Sequence, residues 1–132
     1  MNDFRIKQTI QALHEALAPV TANRFLYDRP KAINDKMDEF LIISLPYAIV
    51  RQVYGAGYGS MKTICDIELF TRNIGISEID INQMDKLIQA TENLFPVVHK
   101  NVRAFKPRIV FTNSDNNGFH STLIQADIFS YS

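Results

Sequence analysis

Apolar residues crowd into residues 40–70, FLIISLPYAIVRQVYGAGYGSMKTICDIELF, and the rest of the chain can be read around that stretch. Its second half alternates. Met61, Thr63, Cys65, Ile67 and Leu69 fall on one side, and Lys62, Ile64, Asp66, Glu68, Phe70 and Arg72 on the other. Period-two alternation predicts a strand whose two sets of side chains point to opposite faces of a sheet. The first half opens with an unbroken apolar run, 40–45, as expected of a strand covered on both faces. Pro46 predicts a bulge or an edge position, with 47–53 continuing the same strand. Gly55, Gly57 and Gly59 in GAGYGS predict a flexible hairpin tip ending at Tyr58 and Gly59. A phosphate cradle would need to open into a helix, whereas a strand follows.

On either side of this hairpin the apolar spacing changes to threes and fours. Ile6, Ile10, Leu13, Leu17 and Val20 draw one stripe, which predicts a helix over 3–18 with Asn2 or Asp3 as its cap and Pro19 at its end. Residues 24–27 predict a short strand stopped by Asp28-Arg29-Pro30, and 31–39 an exposed polar loop. Beyond the breaker at 73–77, Asp80 and Gln83 make an approximate capping box. Ile81, Met84, Leu87, Ile88, Thr91, Leu94 and Phe95 then make a second amphipathic helix, closed by Pro96. Residues 97–106 read as a basic, irregular link, and 108–112 as a strand. The run Asn113–Gly118, with Asp115 and Asn116 at its centre, is a strong turn signal. In the last strand, 119–131, Thr122, Ile124, Ala126 and Ile128 face one side, and Phe119, Leu123, Phe129 and Tyr131 the other.

The expected class is therefore α+β, in the order α-β-β-β-α-β-β. It comprises a mixed or antiparallel sheet of about four to five strands, with two helices packed on one face, in a single domain over 1–132.

Composition narrows the function classes. Fourteen basic residues balance fourteen acidic ones. That argues against sequence-independent nucleic-acid binding, which draws its affinity from excess Lys and Arg, and leaves self-association unopposed by charge. One cysteine, Cys65, excludes an internal disulfide framework and favours a reducing compartment. The N-terminal residues lack the apolar core of a signal peptide, and no run approaches the length of a membrane helix, so no membrane partner is expected.

No catalytic, cofactor-binding or metal-binding constellation emerges. His14, His99 and His120 lack helical zinc spacing. Cys65 belongs to the set assigned to the core, where it serves as a small hydrophobe. Asp66 and Glu68 share a strand face, as paired catalytic carboxylates would, but Lys62 and Arg72 stand on that face as charge partners.

Two helices cover one face of a small sheet, yet Ile64, Phe70, Phe119, Leu123, Phe129 and Tyr131 supply apolar groups to a second face. A lone monomer rarely exposes such a patch, so these six residues are the expected subunit interface. The tips Gly55, Gly57, Tyr58, Gly59 and Asp115, Asn116, Gly118 are the expected contact loops.

The opening stripe, the strand FLIISLP, the strand MKTICDIELFTR and the helix IDINQMDKLIQATENLF follow an order of elements that resembles the tail-terminator and head–tail connector (neck) proteins of tailed bacteriophages. The resemblance covers most of the chain, as an order of elements without a short motif. The stretch 40–53, broken by Pro46, and the basic link 97–108 depart from it. It implies a non-catalytic virion component made in the host cytoplasm and then placed in the tail or neck. Such a subunit would form a ring with copies of itself, a hexamer being the candidate size. It would meet neighbouring connector or tail-tube proteins above and below, and let DNA pass without gripping it.

Two other readings stand beside this one. A small enzyme or ligand-binding domain would use a pocket between helices and sheet near Cys65, Tyr47 and His14. A nucleic-acid module would use Arg103, Phe105 and Arg108.

Overall fold

The structure, a computed structural model, describes residues 6–29, 37–56, 58–115 and 117–131. Among these residues the elements are α1 (Ile6–Ala16), β1 (Arg24–Leu26), β2 (Glu39–Ser44), β3 (Val50–Gly55), β4 (Tyr58–Arg72), α2 (Ile81–Glu92), β5 (Val97–His99), β6 (Val102–Ser114) and β7 (Phe119–Tyr131). The strands form one sheet in the order β1-β2-β4-β7-β6-β5, with β3 paired to β4 beside β2. All pairings are antiparallel except β1 with β2.

This architecture corrects the expected one. Among the described residues strand makes up 52% and helix 20%, and the sheet has seven strands curled into a half-barrel, in place of four or five strands layered by two helices. The curl can be read from contacts. α1 touches β1 and β2 at one end of the strand order and β5 and β6 at the other, while α2 lies against β4. A flat sheet cannot bring both of its ends to one helix.

Two local misreadings account for the extra strands. Residues 40–53 are two strands on the same edge of β4: β2 pairs with residues 66–71 and β3 with residues 58–62. Pro46 lies in the break between them, where the Thr63 hydroxyl donates to the Ala48 carbonyl at 3.0 Å and satisfies it. Residues 97–106, expected as a link, are β5 and the start of β6. Val97, Val102 and Ala104 are buried on the helix side, and a tight turn at Lys100, whose φ is +53°, joins the two strands. The basic residues alternate outward between these apolar ones.

The main core joins Ile10, Leu13 and Leu17 of the first helix and its exit to Met84 and Leu87 of α2 and to Leu41, Ile43, Cys65, Ile67, Leu69, Ile124, Ala126 and Ile128 of the sheet. α1 begins at Ile6 among the described residues; its expected cap, Asn2 or Asp3, lies outside them. α2 starts at Asp80, whose carboxylate accepts from the Gln83 N–H at 3.1 Å. The Gln83 side chain turns to the Glu39 carboxylate and not back to Asp80. The cap is therefore one-sided, where a capping box would be reciprocal.

Leu13 is 2% exposed and belongs to the main core between α1 and the sheet. Leu13→Ala is expected to lower stability by about 3 kcal/mol, read as a shift in the urea unfolding midpoint, through lost burial and the cavity left behind.

Candidate subunit-interaction surface

The side of the sheet away from the helices has three zones. The first is a second apolar cluster of Phe40, Ile42, Phe70 and Phe119, with Phe25 and Met37 packed against it. Phe40 and Phe70 are cross-strand partners and stack at 4.4 Å between ring centroids, 8° apart in plane. Phe119 meets Phe40 edge-on at 5.3 Å. The Arg29 guanidinium lies over three of these rings, 5.5, 5.3 and 5.6 Å from the centroids of Phe40, Phe70 and Phe119. Arg29 is held there by Asp115, at 2.6 Å. Arg72 stands 4.7 Å over Phe119 and donates to the Met37 carbonyl. The chain on both sides of residues 30–36 is thereby tied down over the rings.

Asp115 organises the β6–β7 turn as well. One carboxylate oxygen accepts from the Asn117 N–H at 2.7 Å and the Phe119 N–H at 3.0 Å, while the other takes Arg29. Burial pushes its carboxyl up, but those three hydrogen bonds and the Arg29 charge outweigh it, and the net effect holds the group below its ordinary value. Gly118, at φ +90°, completes the turn in a conformation that other residues rarely adopt.

In the second zone the side chains are polar. Gln125 donates to Asp66 at 3.1 Å and to the Tyr47 hydroxyl, and Arg108 pairs with Asp127 at 3.0 Å. Burial, then the Asp66 charge, raises the Tyr47 phenol. Asp66 is held by Gln125 and Tyr47, and Arg72 pairs with Asp38.

The third zone, at the β3 end, is open and apolar. Every residue of β3 is exposed: Val50 at 61% and Tyr54 at 67% stand on this side with Tyr58 of the hairpin partner at 64%, while Val53, also at 67%, pairs with Gly59 and faces the helix side. The Tyr54 hydroxyl bonds Gln52 at 3.0 Å and Ser60 at 3.2 Å, which fixes its ring against the hairpin. Across the sheet from it, Lys62, Pro96, Val98, Arg103, Phe105 and Phe129 line a groove of about 620 Å³.

The six expected interface residues therefore separate. Phe70, Phe119 and Leu123 are buried within the chain. Ile64 and Phe129 are half-buried and Tyr131 is exposed. Of the expected contact loops, Gly55, Tyr58 and Gly118 are exposed, Gly59 is buried, and Asp115 is occupied by the turn and Arg29; Gly57 and Asn116 lie outside the described residues. Sequence reasoning missed the exposed run Ile109, Val110 and Phe111 on β6, and the trio Ile74, Ile76 and Ile81 beside α2. The first lies in a stretch read simply as a strand, and the second spans the expected breaker at 73–77 and the apolar stripe of the second helix.

The pocket residues are not brought together. Cys65 is fully buried on the helix side, Tyr47 reaches the opposite side, and His14 contacts the Arg24 carbonyl at 3.3 Å. A hollow of about 270 Å³ between α1 and the β6–β7 end touches none of the three. Among the described residues no group of three or more His, Cys, Asp or Glu side chains is placed to hold a metal ion, and no helix is long and apolar enough to cross a membrane. For the nucleic-acid reading, Arg103 stacks on Tyr131 at 5.4 Å and donates to its hydroxyl, and Arg108 is paired with Asp127. Two of its three residues are thus already engaged within the chain.

Comparison with family models and with curated proteins finds no match to this chain.

Burial pushes the Cys65 thiol up to about 12. The native protein is therefore expected to leave a thiol reagent untouched at pH 8, with one equivalent reacting only after denaturation. Asp115 gives a pH test. A carboxyl held low in the fold contributes stability above its unfolded value of about 3.9 and loses it as pH falls through the lower folded value. Asp115→Asn should cost about 1–2 kcal/mol at pH 7, and its deficit against the native chain should shrink below about pH 4 in paired urea titrations.

Proposed function

We propose that this chain is a structural, non-catalytic subunit that assembles with copies of itself into a ring at the head–tail junction of a tailed bacteriophage, as a tail terminator or connector. The observation that carries the self-assembly is β3. It is a six-residue strand on an open sheet edge, exposed along its whole length, with Val50, Val53 and Tyr54 bare. Natural sheets blunt such edges with charge, proline or a covering segment, because unpaired N–H and C=O groups invite another strand. Here Arg51 is the one charged residue in the strand, and zero net charge does not keep copies apart.

The phage setting rests on the order of elements that resembles connector proteins: an amphipathic helix, a long hairpin, a second helix and a terminal strand pair. In that setting the ring is made in the host cytoplasm and resides in the virion. Ile109–Phe111 lies at the opposite edge and further along the strand direction, so it suits a partner above or below the ring.

Light scattering behind a sizing column tests the assembly. The native chain should run as a species of several subunits whose fraction grows with concentration. Val53→Asp with Tyr54→Asp should weaken association at least tenfold, equivalent to about 1.4 kcal/mol. A single 15.1 kDa species at every concentration would contradict the proposal.

A further inference from the structure

We infer that β3 of one copy continues the sheet of the next by lying along β5, so that the neighbour's Val50 supplies the missing outer wall of the groove around Phe129. This rests on the ring-forming reading and names its contact.

The register places the two elements on one line. Val50 pairs with Lys62, Lys62 with Phe129, Phe129 with Arg103, and Arg103 with Val98. Cross-strand partners share a face, so these five side chains form a single row on the side away from the helices. The row starts at the bare edge of β3 and ends at the bare edge of β5. Val50 is 61% exposed and Val98 is 64% exposed. Phe129, Arg103 and Val98 line the groove, together with Phe105 of the next row, and past Val98 no described strand follows. A residue one strand further along the row would close it, and in a neighbouring copy that residue is Val50.

Strand direction and level agree. β3 runs antiparallel to β4. Three successive antiparallel steps, β4 to β7 to β6 to β5, make β5 antiparallel to β4 as well. β3 and the neighbour's β5 would therefore pair in parallel, with Val50 beside Val98 and Arg51 beside His99. Because both lie in the same rows, the step between copies needs no shift along the strands. A head-to-tail contact closes into a ring when the rotation between copies divides a full turn and no rise accompanies it, and a matched level removes the rise.

The other free edge, β6 at Ile109–Phe111, fails this criterion. Its rows meet β4 at Ile67 and Glu68, five to six residues beyond Lys62, or roughly 16–20 Å at the rise of a strand. Lys106, Pro107 and Arg108 also guard that edge at its start.

Engineered cysteines test the contact, since Cys65 is buried and silent. Val50→Cys and Val98→Cys sit at exposed positions and would lie one strand apart on one face, within disulfide reach after a small adjustment. In the double variant, oxidation with diamide should give a covalent ladder ending at the ring. An equal mixture of the two single variants should stop at covalent dimers. Native multimers without these cross-links would overturn the β3–β5 contact and leave the ring standing. Cross-linking of Val50→Cys to Val110→Cys would place β3 on β6, and covalent dimers of Val50→Cys alone would mean two β3 strands meeting; either also overturns it. Absence of any multimer would remove the ring and the contact together.

Discussion

Thirteen consecutive register pairs join β4 to β7, and the rest of the molecule depends on that ribbon being covered on both sides. A long antiparallel pair twists, and a twisted ribbon carrying strands on both flanks curls. The helix side of the curl is filled by α1, which reaches β1–β2 on one flank and β5–β6 on the other. The opposite side is filled at only one end, by the Phe40–Phe70–Phe119 stack under Arg29. That cover is electrostatic as well as apolar: Asp115 orients the guanidinium that lies over the rings, and the same carboxylate fixes the turn leading into β7. Burial of this end leaves the β3 end of the same ribbon bare.

Much of this was legible in the residues, and the failures share a cause. The alternation at 61–72, the two apolar stripes, the Asp80 cap and the turn before Phe119 rest on short-range periodicity and turn chemistry, which act within a few residues. The misread stretches depended on pairing at long range. Val97, Val102 and Ala104 were masked by His99, Lys100 and Arg103 between them, and only the pairing of β6 with β7, and of β5 with β6, makes strands of that text. Pro46 divided one apparent strand into two because β4 is long enough to accept both on one edge. The aromatic residues of the second face were recognised as apolar groups needing cover. That three of the six were covered by the chain itself could not be read, since Arg29 finds Asp115 from 86 positions away.

The candidate surface follows from the same division. Leu123 is buried within the chain, and Phe70 and Phe119 belong to a closed end with its own cover. Val50, Val53, Tyr54 and Tyr58 belong to an open end with none, joined through one row of side chains to the groove at Phe129 and Val98. In the assembly we propose, the bare edge at each end of this row would let the subunit repeat head to tail, and specificity would reside in register and level.

Amide hydrogen exchange across a concentration series tests this most directly, because it reads the two edges separately. The account predicts that the outward amides of β3 and those of β5 gain protection together as concentration rises, while Ile109–Phe111 stays open. Exchange at β3 and β5 that remains fast and independent of concentration would contradict it.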